Sequence, residues 1–201
     1  MNKEFRLGVL VSGRGTNLQA IIDWIELEKP NVKIALVISN KENIRALERC
    51  QFHHIESTYI DPKSFANKVE FNQNMITRLK EKSIDLVCLA GFTQILTPEF
   101  IEAFPKKIIN IHPSLLPAFP GLNAQKQALE YGVKLSGCTV HFVDEGIDTG
   151  PIICQASVPI YENETEEALS ERILKEEHKL YPKAIQSIIN KQNSNPRKRP
   201  L

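Results

Sequence analysis

The hydrophobic positions of this chain switch between two periods. Residues 6–13, RLGVLVSG, form a short apolar run ending in glycine, the pattern of a buried strand that enters a turn. From 16 to 27 the apolar positions Leu18, Ile21, Ile22 and Ile25 recur at helical spacing, and Pro30 with Asn31 punctuates the segment. A second strand is expected over 32–40, a short helix over 43–50 and a weak strand over 54–60. Residues 64–82 predict a helix with Phe65, Val69, Met75, Ile76 and Leu79 along one face. The segment 84–91, IDLVCLAG, is a strongly apolar strand that again ends in glycine, and a further strand ends at Asn110, Ile111 and His112.

Alternation of apolar strands with amphipathic helices predicts an α/β fold, a mostly parallel sheet with helices on both faces. In such sheets ligands sit beyond the carboxyl ends of the strands, here residues 12–15, 39–40, 90–91 and 110–112. The second half changes character. A helix over 120–132 is closed by Gly132, and two strands over 136–143 and 150–160 flank the loop DEGIDTG. That pair reads as an antiparallel extension of the sheet. The helix expected over 165–190 contains Pro182, which marks a kink. Residues 1–190 read as one domain and 191–201, with their RKR cluster, as a mobile basic tail.

Composition narrows the class. The chain has 201 residues, 42% of them apolar and 24% charged, with a formal net charge of +1. That balance fits a soluble globular protein and argues against one built to coat nucleic acid. No apolar run approaches the ~20 residues of a membrane helix. The first apolar run is too short for a signal peptide and is broken by Ser-Gly-Arg-Gly. The four cysteines, at 50, 88, 138 and 154, form no C-x-x-C pair, so neither structural zinc nor a redox dithiol is expected. A reducing, cytoplasmic location fits this usage.

Three constellations carry possible chemistry. In SGRGTNLQAI, Gly13 and Gly15 follow a strand and open a helix. The N–H groups of Gly15, Thr16 and Asn17 would then face outward at a helix N-terminus, an arrangement suited to phosphate. A tight turn with Thr16 as a helix cap explains the same residues. Second, Asn110 and His112 stand two apart on an extended segment, so their side chains share a side, and Pro113 biases His112 toward an extended backbone. An amide beside an imidazolium stabilises an oxyanion, and the imidazole also passes a proton. Third, VDEGIDTGP offers Asp144, Glu145 and Asp148. A carboxylate reaching His112 would favour the imidazolium, but spacing does not say which one faces inward. The remaining histidines, His53, His54, His141 and His178, have no metal-ligand spacing, so no catalytic metal is expected.

Taken together, SGRGTNLQAI, LAGFTQIL…NIHPSLLP and TVHFVDEGIDTGPII closely resemble the phosphoribosylglycinamide (glycinamide ribonucleotide) formyltransferase branch of the folate-dependent formyltransferase family. The likeness runs from about residue 6 to 187. It implies a Rossmann-like formyltransferase fold, its N-terminal half binding the ribonucleotide and its C-terminal half binding folate and carrying catalysis. It implies transfer of a formyl group from 10-formyltetrahydrofolate, as co-substrate, to the primary amine of N1-(5-phospho-D-ribosyl)glycinamide in purine biosynthesis. By position, Asn110, His112 and Asp148 would be catalytic. His112 and Asn110 would stabilise the oxyanion, and Asp148, preferred over Asp144 and Glu145 on the resemblance alone, would assist proton transfer. Gly15, Thr16 and Asn17 match the phosphate segment, and Glu177 matches a glutamate that holds the glycinamide end. Lys68, Thr93, Gln94, Ile95 and Leu96, with Asn110, Asp144 and Asp148, match folate contacts.

Two positions depart from the family pattern. Gln94 replaces a common arginine, and Lys68 can pair with a carboxylate only as a point charge, where the family often has a forked arginine. The resemblance also suggests a cis Leu116–Pro117 bond. The partners expected are small-molecule substrates, with no nucleic acid and no membrane, in a monomer or homodimer. Three rival readings are a formyltetrahydrofolate deformylase, a methionyl-tRNA formyltransferase-like enzyme and a non-catalytic nucleotide-binding module. The module leaves Asn110, His112 and Asp148 without a role.

Overall fold

The computed structural model describes residues 3–193. Seven strands form one sheet in the order β3-β2-β1-β4-β5-β6-β7. The strands are β1 (Phe5–Val11), β2 (Val32–Ser39), β3 (Ser57–Tyr59), β4 (Leu86–Leu89), β5 (Ile108–His112), β6 (Leu135–Phe142) and β7 (Ile152–Pro159). The first five run parallel, while β6 is antiparallel to both β5 and β7. The helices are α1 (Thr16–Glu28), α2 (Arg45–Phe52), α3 (Lys68–Glu81), α4 (Pro98–Ala103), α5 (Ala124–Tyr131) and α6 (Glu166–Asn193).

Side-chain alternation along the strands builds two apolar layers. On β1, Leu7, Val9 and Val11 meet α1, α2 and α6, whereas Leu10 meets the α3 and α4 side. On β5, Ile109 and Ile111 join the first layer and Ile108 the second. Asn110 and His112 therefore share the face of Ile108, on the α3–α4 side. Leu96 and Val143 belong to that same layer, so the 93–96 segment and the start of the 143–151 connection lie on the face of the pair.

Several boundaries differ from the sequence reading. The helix expected over 64–82 begins at Lys68, because the Asn67 side chain accepts from the Glu70 amide at 2.9 Å and caps it there. Residues Pro62–Ser64 form a separate 3₁₀ turn. Val69 is 49% exposed, and Phe71, 2% exposed, supplies the buried aromatic on that helix. Helix α4 has no counterpart in the expected elements. With six residues and one buried position, Phe100, it is too short to show a period. Helix α6 contains Pro182 and runs past the expected end at 190, to Asn193. The rest of the expected basic tail, 194–201, lies outside the described residues. Among the described residues no helix is long and apolar enough to cross a membrane.

Candidate active site

Asn110 and His112 end β5, and both reach the carboxylate of Asp148. His112 Nδ1 lies 3.2 Å from Asp148 Oδ2, and Asn110 Nδ2 lies 3.4 Å from Oδ1. The Gly121 amide donates to Oδ2 at 2.8 Å. His112 Nε2 faces the Phe119 carbonyl at 2.8 Å. Both ring nitrogens thus look at oxygen atoms. His112 is 5% exposed.

The inward carboxylate is Asp148. Asp144 turns back on its own loop, accepting from the Gly146 amide at 3.1 Å and the Thr149 hydroxyl at 2.7 Å, and Glu145 is exposed. Burial alone would raise the Asp148 carboxyl. The hydrogen bond from His141, the Gly121 amide and the charge of His112 outweigh it and hold the group below its ordinary value.

Asp148 does not arrive on a parallel strand end. Strand β6 is antiparallel, and its last residue, Phe142, pairs with Ile109 rather than with His112. The following connection must double back along β5 to bring Asp148 to His112. Gly150 permits this: a Cβ there would sit 1.8 Å from the Phe142 carbonyl oxygen. Two non-glycine residues at the site, Phe119 (φ 54) and Asp148 (φ 55), hold left-handed backbone.

The sequence reading missed His141. It pairs directly opposite Asn110 across β5 and β6, which places both on one face. Its Nε2 lies 3.3 Å from Asn110 Nδ2 and 3.5 Å from Asp148 Oδ1, while its Nδ1 faces the Phe142 carbonyl at 2.8 Å. Only the strand register reveals the contact, and neither segment shows that register alone. Also missed was the polar fixing of the proline loop after His112. Thr139 Oγ1 donates to the Ser114 carbonyl at 2.7 Å and accepts from the Leu116 amide at 3.1 Å. Gln155 Nε2 donates to the Leu116 carbonyl at 2.8 Å. The Leu116–Pro117 bond is cis.

The glycine loop lies on the other layer. Gly15 (φ 68) precedes α1 in left-handed backbone, and no side chain caps the first turn. Thr16 is the first helical residue and not the cap, so the capping alternative does not hold. Asn17 Nδ2 donates to Glu177 Oε2 at 2.7 Å, joining two predicted ligand residues 160 positions apart. Burial raises the Glu177 carboxyl, and the Asn17 bond only partly offsets it. One turn further along α6, Tyr181 is fully buried and its hydroxyl reaches the carbonyls of Leu89 at 2.9 Å and Ile109 at 3.3 Å. This pins the helix that carries Glu177 to β4 and β5.

The two layers meet at Ser12. Its amide donates to the Gly91 carbonyl at 3.1 Å, its hydroxyl to Asn40 Oδ1 at 2.6 Å, and it accepts from the Thr93 amide at 2.9 Å. The 93–96 segment is thereby held to the glycine loop. Thr93, Gln94 and Ile95 are exposed and Leu96 is buried. Lys68, exposed at the start of α3, has no contact with the Asp148 cluster. A cavity of about 1310 Å³ runs between α1 and α6 from Thr16, Gln19 and Arg49 to His178 and Lys183. Its lining includes none of Asn110, His112 or Asp148. Among the described residues no group of three or more His, Cys, Asp or Glu side chains is placed to hold a metal ion. Burial pushes the Cys50 thiol up to about 11 and that of Cys138 up to about 12, so neither supplies a thiolate near neutral pH.

The chain is similar to known proteins over nearly its whole length. The family model described as formyl transferase matches residues 5–185. Phosphoribosylglycinamide formyltransferase of Bacillus subtilis (strain 168) is 43% identical over 188 residues, covering 94% of this chain and 96% of that protein. The trifunctional purine biosynthetic protein adenosine-3 of Drosophila melanogaster is 46% identical over 187 residues, 92% of this chain. The chain spans only 14% of that longer protein's length. Among solved structures, glycinamide ribonucleotide transformylase 1 from Symbiobacterium toebii superposes with a TM-score of 0.90 at 49% identity, covering 92% of this chain and 87% of that one.

Proposed function

Because the chain belongs to the formyl transferase family, we propose that it formylates the primary amine of phosphoribosylglycinamide, with 10-formyltetrahydrofolate as the formyl donor, in purine biosynthesis. The observation that carries this reading is the convergence of Asn110, His112 and the Gly121 amide on Asp148. The sequence resemblance implies that the family shares the Asn, His and Asp of that set, and two donors beside a carboxylate suit formyl transfer.

The chemistry follows from what each group can do. When an amine adds to a formyl carbon, negative charge grows on the formyl oxygen. His112 and Asn110 are donors on one face, and either can meet that oxygen. As the adduct collapses, the amine loses a proton and the departing folate nitrogen gains one. His112 is the proton donor in this reading, and Asp148, 3.2 Å from its Nδ1, stabilises the charged ring. Gly15, Thr16 and Asn17 hold the phosphate through their amides, and Glu177 holds the glycinamide end. Thr93, Gln94, Ile95 and Leu96 line the folate side with backbone groups, which is why Gln94 is tolerated there. Lys68 contributes only a solvated charge to the folate tail.

The test is a transfer assay with both substrates. Formylated ribonucleotide and tetrahydrofolate should appear together. Formate release without transfer would identify a deformylase, and formylation of a charged initiator tRNA would identify the tRNA branch. Tight ligand binding without turnover would favour a nucleotide-binding module. Replacing His112 with alanine should cut kcat roughly 100-fold while folate binding persists. Near-normal turnover in that variant would sink the assigned roles.

A further inference from the structure

The glycine loop is held from outside by helix α2. The Ala46 amide donates to the Gly13 carbonyl at 3.3 Å. Arg49 Nε donates to the Arg14 carbonyl at 3.0 Å, and its Nη1 donates to Gln19 Oε1 at 2.8 Å. One guanidinium therefore ties the loop to α1. The Arg14 carbonyl and the Gly15 N–H belong to a single planar peptide group. Fixing the oxygen fixes the direction of the N–H. A cation on the oxygen also polarises the whole amide and makes its N–H a stronger donor.

We propose that Arg49 is a positioning residue for phosphate recognition: it orients and polarises the Arg14–Gly15 peptide, whose N–H, that of Gly15, faces the substrate phosphate. This inference rests on the phosphate reading of the glycine loop and adds to it a residue outside the loop, on a helix that no ligand reading includes. The local packing supports a rigid latch: Gly15 sits so close to α2 that a Cβ there would lie 2.6 Å from Ala46 Cβ. Arg49 also lines the cavity that opens beside Thr16 and Gln19, with its charge at the mouth of the loop.

The test compares the parent with Arg49→Gln and Arg49→Lys in the full chain, using steady-state transfer kinetics and inorganic phosphate as a competitor of the ribonucleotide. Loss of a charge-assisted hydrogen bond should raise the ribonucleotide KM and the phosphate inhibition constant together, each roughly tenfold. The folate KM and kcat should stay within about twofold, the mark of lost ground-state binding. Arg49→Lys keeps a charge but cannot bridge Arg14 and Gln19, so it should fall between the parent and Arg49→Gln. A ribonucleotide KM within about twofold of the parent in Arg49→Gln, or an equal rise in both KM values, would overturn the proposal. If Arg49→Gln fails to fold, Arg49→Lys carries the same comparison. Thr16→Asp separates the two layers of the reading. If it leaves phosphate inhibition unchanged, the loop is not the phosphate site and the inference falls with it. If it abolishes phosphate inhibition while Arg49→Gln does not move it, the inference alone falls.

Discussion

Replacing Gly15 with alanine tests the loop where its geometry is tightest. Gly15 has φ 68, and an added Cβ would lie 2.6 Å from Ala46 Cβ and 2.8 Å from Ala46 Cα. The second contact is backbone, so no rotamer change relieves it. Left-handed backbone costs an alanine about 1–2 kcal/mol. Overpacking against a helix adds about 1–3 kcal/mol. The lower entropy of the unfolded alanine chain returns about 0.4–1 kcal/mol. The net loss is about 1–5 kcal/mol, which for a chain of this size lowers Tm by roughly 2–18 °C. Thermal unfolding followed by circular dichroism reads this directly. The same variant moves the Gly15 N–H, so the ribonucleotide KM should rise while the folate KM does not. Adding Ala46→Gly removes one of the two close atoms. On its own it costs about 1 kcal/mol of helix propensity, yet in the Gly15→Ala background it should recover part of the loss, a coupling of about 1 kcal/mol. A Tm drop under about 2 °C, or strict additivity of the two substitutions, would refute the packing account.

Three further outcomes are expected. Asp148→Asn should lower kcat roughly 100-fold or more. Because the folded Asp148 carboxyl sits below its ordinary value, its contribution to stability is present above about pH 4 and is lost as pH falls through the folded value. The Tm gap between parent and variant should therefore close on acidification, and a gap independent of pH would contradict the ion-pair assignment. For Glu177 the sign is opposite: its folded value is raised, so the parent loses stability as pH rises through that value. Glu177→Gln keeps an acceptor for Asn17, so its Tm should gain on the parent's with rising pH while its ribonucleotide KM increases; a flat Tm difference would count against a buried ionising carboxyl. Tyr181→Phe removes the hydroxyl bonded to the Leu89 and Ile109 carbonyls and should cost about 1–2 kcal/mol, or roughly 3–6 °C in Tm by calorimetry.

What the sequence revealed and what it hid follow from the range of the interactions. Strands β1, β2, β4 and β5 are apolar runs bounded by glycine, asparagine or proline, so their order and depth are readable locally. The shared face of Asn110 and His112 is readable too, since it needs only the two-residue period of a strand. His141 was not readable, because its place opposite Asn110 depends on the β5–β6 register. The choice among Asp144, Glu145 and Asp148 was equally hidden from spacing. It is made by a connection that doubles back and by a left-handed backbone at Asp148. The pairing of Asn17 with Glu177 joins residues from opposite ends of the chain, and only the packing of α1 on α6 brings them together. Helix α4 was hidden for a different reason: six residues hold less than two turns of pattern.

The contacts of Asp148 also bear on how the donors of the proposed site are held. Its shortest bond is to the Gly121 amide, at 2.8 Å. The contacts with His112, Asn110 and His141 are longer, at 3.2, 3.4 and 3.5 Å, beyond the usual range of about 2.7–2.9 Å for a charge-assisted N–H···O bond. The carboxylate is thus anchored to backbone, while the side-chain donors converge on it loosely. A loosely held donor redirects to a new oxygen at little cost, and one held in place needs no reorganisation when charge develops there. In the proposed reaction Asp148 would serve as an internal anion that keeps Asn110 and His112 pointed at one volume. The left-handed backbone at Phe119 and Asp148 belongs to the same device. Each costs about 1–3 kcal/mol, and each sits on a residue bonded to His112: the Phe119 carbonyl at 2.8 Å and the Asp148 carboxylate at 3.2 Å. The ring thus takes one bond of ordinary length, to Phe119, and one longer contact, to Asp148. Loosening the Phe119 contact should cost aim before it costs the fold.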